Sequence, residues 1–236
     1  MTLVGIHQPN FLPWLGFFDK IRRARHFVLL DDVQFPKGGH GNYVNRTQVL
    51  VAAAPAWVTV PVVRAFHGTR SISQIEINDD TPWREKLLRT VEMNYRRAPH
   101  FSAVYPQLVT LIQLPTTSLL ELNVNAIKAI VSGLNLDVRN LVLSSTIAVQ
   151  GRATERLIEL VRGTGGDAYL AGGGAQGYQE DNRFAAANVA LVYQDFQHPT
   201  YPQQGASQFV PGLSIVDALM NCGFEGTARL LDGDRS

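Results

Sequence analysis

Residues 3–32, LVGIHQPNFLPWLGFFDKIRRARHFVLLDD, decide the fold. Residues 3–6 form a short apolar run with the length of a strand, and His7, Gln8, Pro9 and Asn10 follow directly behind it. Pro13 suits a helix start, because its fixed φ and missing N–H cost nothing in a first turn. The spacing predicts a helix over residues 14–25 whose inward face carries Leu15, Phe18 and Ile21 or Arg22. Residues 27–30 are a second apolar run, ending in Asp31 and Asp32. Strand, helix, strand is the βαβ unit of a parallel sheet. The sequence therefore predicts an α/β fold, an open, mostly parallel Rossmann-like sheet with flanking helices. Ligands of such sheets bind outside the carboxyl ends of the strands, where His7 and the two aspartates fall.

Outward from that unit, residues 36–43 (PKGGHGNY) read as a loop, followed by Asn45, Arg46 and a polar turn. Residues 57–62 alternate as a strand with Pro61 at an edge or end, and residues 75–77 are a short strand. From about residue 80 to 135 the pattern is wholly helical, with helices predicted over 82–95, 102–114 and 119–134. This block is either a lid or a helical layer beside the sheet, within a single domain of residues 1–236. The α/β pattern resumes with a strand at 141–143, a helix at 154–162, and strands at 168–170 and 189–193. A final helix is expected over 214–220, with a frayed tail after Gly226.

Composition narrows the function classes. With 236 residues the chain can bury a full core. A net charge of +1 argues against a nucleic-acid partner, which a concentrated basic stripe would meet. The one dense basic cluster, residues 20–25 (KIRRAR), is expected to cover a solvated helix face. No apolar segment approaches the ~20 residues of a membrane span, and no signal-peptide order is present, so a cytoplasmic location is expected. The single cysteine, Cys222, excludes an intramolecular disulfide and any cysteine-clustered metal site. It lies in the apolar stretch VDALMNCGF, which favours a buried, inert thiol.

The candidate catalytic residues are His7, Asp31 and Asp32. A neutral imidazole can accept a proton while a carboxylate on the neighbouring strand orients its other nitrogen. Successive strand residues face opposite sides, so only one of the two aspartates is expected to share the cleft with His7. Gln8 and Asn10 can read a carbonyl, hydroxyl or amide of a small polar substrate, or can simply fix the turn. Lys37, Asn45 and Arg46 around the glycine-rich loop are candidates for an anionic group, Arg46 first among them. After the strand at 168–170, Gly173, Gly174 and Gln176 form a second candidate ligand loop, flanked by Tyr169 and Tyr178. Its spacing matches neither a P-loop nor the dinucleotide fingerprint. Ser144 and Ser145 are hydroxyl donors at a strand end, without the GxSxG elbow of a hydrolase nucleophile. Gln194 and Tyr201 complete the binding candidates on the opposite wall.

No structural metal is expected. The six histidines, at positions 7, 26, 40, 67, 100 and 198, form no HExxH or other close ligand pair, although His7, Asp31 and His40 could converge in space.

Several ordered motifs together resemble one family. HQPNFLPWLGFF with the lysine that follows, the LDDVQF strand end, the Asn45-Arg46 pair, WVTVPV, AYLAGGGAQGY and FVPGLSIVDALMNCG are similar to the WbqC-like family, from residue 3 to about residue 224. The resemblance implies a role in bacterial surface-polysaccharide or other biosynthetic clusters. The expected function is a biosynthetic transferase moving an acyl, aminoacyl or related group onto a small activated metabolite, such as a nucleotide-linked amino sugar or a carrier-bound substrate. A more distant resemblance, to nucleotidyltransferases and class I synthetases, rests on a histidine at a strand-to-helix junction. It implies ATP-dependent adenylyl or nucleotidyl transfer, with Mg2+ held by Asp31 or Asp32. Residues 13–16 read PWLG, however, where that pattern places a second histidine. A nonenzymatic binding or scaffold role in a biosynthetic complex is the third expectation.

Overall fold

The computed structural model describes residues 1–36, 42–65, 68–172 and 181–233. The predicted βαβ unit forms from β1 (Leu3–His7), α1 (Leu15–Arg23) and β2 (His26–Leu29). An antiparallel hairpin follows, β3 (Arg46–Val51) and β4 (Ala54–Thr59), and then the helical block α2 (Trp83–Tyr95), α3 (Phe101–Ile112) and α4 (Leu119–Gly133). The remaining elements are β5 (Leu141–Leu143), α5 (Ala153–Gly163), β6 (Ala168–Ala171), α6 (Asp181–Ala186), β7 (Ala190–Tyr193) and α7 (Ile215–Asp232).

Five strands make one parallel sheet of order β5-β2-β1-β6-β7. Parallel strands bury both faces, and the period of two divides their side chains between two cores. Val4, Ile6, Val28, Tyr169 and Ala171 pack with Ile158, Val161 and Phe184 of α5 and α6. Phe27 and Leu29 join Phe17 and Phe18 of α1, and the same core runs on through Val104, Leu108 and Ile127 of the helical block. The Rossmann-like sheet with flanking helices and a helical insertion is the architecture read from the sequence.

Helix α1 is buried from Leu15 through Ile21. Gly16 is required there, because a Cβ would stand 2.2 Å from the Trp14 indole. The basic cluster after it divides: Arg22, Arg23 and Arg25 are exposed as expected, but Lys20 is only 2% exposed. Lys20 lies four residues after Gly16 and three after Phe17, so helical geometry puts it on their inward face.

Other elements also depart from the sequence reading. Arg46 opens β3 instead of preceding a polar turn, and it pairs with Thr59. The hairpin turns through Ala52 and Ala53 at φ 48° and 65°, a left-handed pair usually marked by Asn-Gly, so the turn carried no composition signal. Residues 75–77 make only the single bridges Val62–Ile77 and Glu76–Ser118 behind a 3-10 turn at Ile72–Gln74. The last helix runs far past residue 220. Gly223, at φ 69° and ψ 177°, breaks it, and the chain resumes helix to Asp232 with Thr227 and Leu231 buried. Helix α6 was not read from the sequence at all; its Phe184 is its buried anchor.

Candidate functional site

The strand order places the candidate site. From β1 the chain lays β2 and then β5 on one side, and afterwards β6 and β7 on the other. The order therefore reverses between β1 and β6, and the crevice outside their carboxyl ends is the favoured ligand position in an open α/β sheet. The two ladders end at different points there: β1 pairs with β2 out to His7–Leu29, but its register with β6 ends at Gly5–Leu170.

His7 and Lys20 meet at this end of β1. The Lys20 Nζ donates to the Ile6 carbonyl at 2.8 Å and stands 5.6 Å from the centroid of the Tyr169 ring. His7 packs edge-on to Phe17, with ring centroids 5.1 Å apart. Its Nδ1 lies 3.0 Å from the Gln8 carbonyl. A carbonyl can only accept, so Nδ1 carries the proton and Nε2 keeps the lone pair of a base. Burial, reinforced by the Lys20 charge, pushes the imidazole down to about 4 against the opposing Gln8 hydrogen bond. Burial likewise lowers the Lys20 amine to about 7. Strongly perturbed groups in a cleft mark functional sites more often than chance. Sequence reading missed Lys20; its helical spacing from Gly16 and Phe17 was the available signal.

The connection from His7 to α1 is strapped from several directions. The buried Asn123 of α4 donates from Nδ2 to the carbonyls of Pro9 (2.8 Å) and Val44 (2.7 Å). Phe11 N donates to the Tyr43 carbonyl, and the Leu12 carbonyl accepts from the hydroxyls of Thr47 and Ser214. Leu12 sits at φ 41°, a left-handed conformation that a leucine holds only when its surroundings over-determine it. Asn10 is buried within this strapped turn, and Gln8 is half-buried beside it.

Asp31 and Asp32 turn toward β5, while the Nδ1 of His7 turns to Gln8. Asp31 Oδ1 accepts from Ser144 Oγ at 3.0 Å and Ser145 N at 2.9 Å. Asp32 accepts from Ser144 Oγ and, at 2.6 Å, from Arg156 of α5. Desolvation works to raise the Asp32 carboxyl, but the Ser144 and Arg156 hydrogen bonds and the Arg156 charge outweigh it and hold it below its ordinary range. Among the described residues, no group of three or more His, Cys, Asp or Glu side chains could hold a metal ion.

The other candidates lie in structural ties. Asn45 accepts from Asn42 and donates to the Val60 carbonyl. Arg46 Nε donates to the Asn42 carbonyl, and its guanidinium lies 4.2 Å over the Trp57 ring. Arg46 opens β3 and Asn45 directly precedes it. Tyr169 stacks on Phe184. Gln194 ties α1 down by donating to the Gly16 carbonyl and to Asp19, both at 2.8 Å. Tyr201 donates to the buried Asp217, which also accepts from Tyr95 and Gln203. Lys37, Gly173, Gly174, Gln176 and Tyr178, with His40 and His67, lie outside the described residues.

No described helix is long and apolar enough to cross a membrane. The pattern of the WbqC-like protein family matches residues 8–229. A relative in Mycobacterium tuberculosis (strain ATCC 25618 / H37Rv), the uncharacterized protein Rv1507c, is 30% identical over 226 residues, covering 95% of this chain and 96% of its own. No solved structure matches the chain significantly.

Proposed function

The chain belongs to the WbqC-like protein family, and on that premise we propose that it is a biosynthetic transferase moving an acyl, aminoacyl or related group onto a small activated metabolite, such as a nucleotide-linked amino sugar. The observation that carries this reading is the His7 imidazole, held neutral in a strapped turn at the sheet's reversal point with Nε2 left as a base. In the transfer, the acceptor's amine or hydroxyl attacks the donor carbonyl as Nε2 takes its proton, and the donor's leaving group departs with that proton returned. The acyl–acceptor bond forms and the acyl–leaving-group bond breaks. A positioned general base contributes roughly 10²–10⁴-fold to a rate, most when its pKa lies near the working pH, so this role requires bound substrate to raise the His7 imidazole from about 4. The polar knot of Asp31, Asp32, Ser144, Ser145 and Arg156 lies one strand over and offers donors and acceptors to the acceptor substrate's polar groups.

Mass-spectrometric detection of the acylated product, with nucleotide sugars as acceptors and acyl or aminoacyl thioesters and esters as donors, tests the proposal. Product formed by the wild-type chain and reduced at least about a hundredfold in His7→Ala supports it. Equal turnover in both proteins overturns the role of His7, and tight ligand binding without product from any donor favours a binding or scaffold component.

A further inference from the structure

We propose that Lys20 is the anion-holding group of the crevice between β1 and β6, receiving the carboxylate or phosphate of the small-molecule substrate. This deepens, and rests on, the reading of that crevice as the substrate site. The geometry is specific. Lys20 reaches from α1 to β1 just past the end of its register with β6, where Nζ takes the Ile6 carbonyl at 2.8 Å and faces the Tyr169 ring. Directly after β6, a Cβ built on Gly172 would meet nothing within 4 Å.

Among the described residues, no counter-charge faces Lys20. An ammonium carries three donors, and among the described residues its hydrogen bond goes only to Ile6. The adjacent carboxylate, Asp19, is committed elsewhere: Oδ1 to Arg22 at 3.3 Å, and Oδ2 to Arg23 at 3.8 Å and Gln194 at 2.8 Å. Among the described residues, the titratable groups around Lys20 are His7 on β1, Asp19 on α1 and Tyr169 on β6; the imidazole and the phenol carry no negative charge, and the Asp19 carboxylate is taken by its other partners. Buried charges in proteins are normally paired, and an isolated one is costly. An anionic ligand supplies the missing partner, and the polarised N–H groups then hold it by charge-assisted hydrogen bonds. The amine is lowered to about 7 by burial alone, so anion binding above that pH draws a proton onto Lys20.

Calorimetric titration of the full chain at pH 8, in two buffers of different ionisation enthalpy, tests this. One arm uses inorganic phosphate and pyrophosphate, the other acetate and glycine, which separates a phosphate-bearing substrate from a carboxylate-bearing one. The expected result is binding of one class with uptake of roughly one proton per site. Lys20→Met should weaken that binding at least about tenfold and abolish the uptake, while its thermal transition stays cooperative. Binding to Lys20→Met equal to wild type, binding without proton uptake, or no binding by either class overturns the proposal. The readout is binding and not turnover. Intact anion uptake with no transfer product therefore removes the transferase reading alone, and turnover without anion uptake removes this one alone.

Discussion

Replacing Lys20 by methionine should make the protein more stable and less active. At pH 7.5, an amine at about 7 in the fold and 10.5 in the unfolded chain costs the folded state about 4 kcal/mol. Met keeps most of the aliphatic stem and its packing. The loss on the other side is the hydrogen bond to the Ile6 carbonyl, worth about 2 kcal/mol when the acceptor is left buried and unpaired. The net expectation is a gain of about 2 kcal/mol, or roughly 4–8 °C in Tm for a chain of this size. The sign also has a pH signature. The folded amine binds fewer protons than the unfolded one between pH 7 and 10.5, so wild-type stability rises with pH across that window. The advantage of Lys20→Met should accordingly shrink as pH approaches 10.5. Differential scanning calorimetry from pH 6 to 10 measures both effects. A variant less stable than wild type throughout, or a gain independent of pH, refutes the picture of a buried amine whose proton is disfavoured by desolvation.

The His7 imidazole, lowered to about 4 from 6.5, contributes stability that is present above 6.5 and lost as pH falls through about 4. An NMR titration of its ring protons should give a midpoint below 5, moving upward in Lys20→Met; a midpoint near 6.5 in the wild-type protein contradicts the site's electrostatics. Asn123→Ala unpairs the Pro9 and Val44 carbonyls together, and chemical denaturation should show a loss of about 2–4 kcal/mol. The double change Ala52→Asn with Ala53→Gly places favoured residues at two left-handed positions and should raise stability by about 1 kcal/mol, read as a higher denaturation midpoint at unchanged slope.

What was legible in the sequence is what local pattern controls. Apolar runs of three to five residues ending in polar groups marked β1, β2, β5 and β6, and the helical period marked α2 to α4. The hairpin strand β3 was hidden because its turn uses Ala52 and Ala53 where composition would advertise Asn and Gly. The second half of α7 was hidden because Gly223 looks like a stop, yet Phe224 covers Gly133 of α4 and the helix resumes behind it. His7 was placed at the strand edge by sequence. Lys20 was grouped with its arginine neighbours as surface charge, because a single helix residue's burial depends on what tertiary packing sets against that face. The expected pairing of His7 with an aspartate depended on side-chain direction, which strand position does not specify. Asp31 and Asp32 found their partners on β5 and α5.

The central claim is that the small-molecule substrate binds at the reversal point between β1 and β6, against His7 and Lys20. A thermal-shift screen of nucleotides, nucleotide sugars and acyl or aminoacyl donors, run in parallel on wild type, His7→Ala and Lys20→Met, tests it most directly. The account predicts a selective rise in Tm with one ligand class for the wild-type protein, lost or strongly reduced in both variants. A ligand that stabilises all three proteins equally would place the binding site elsewhere in the fold.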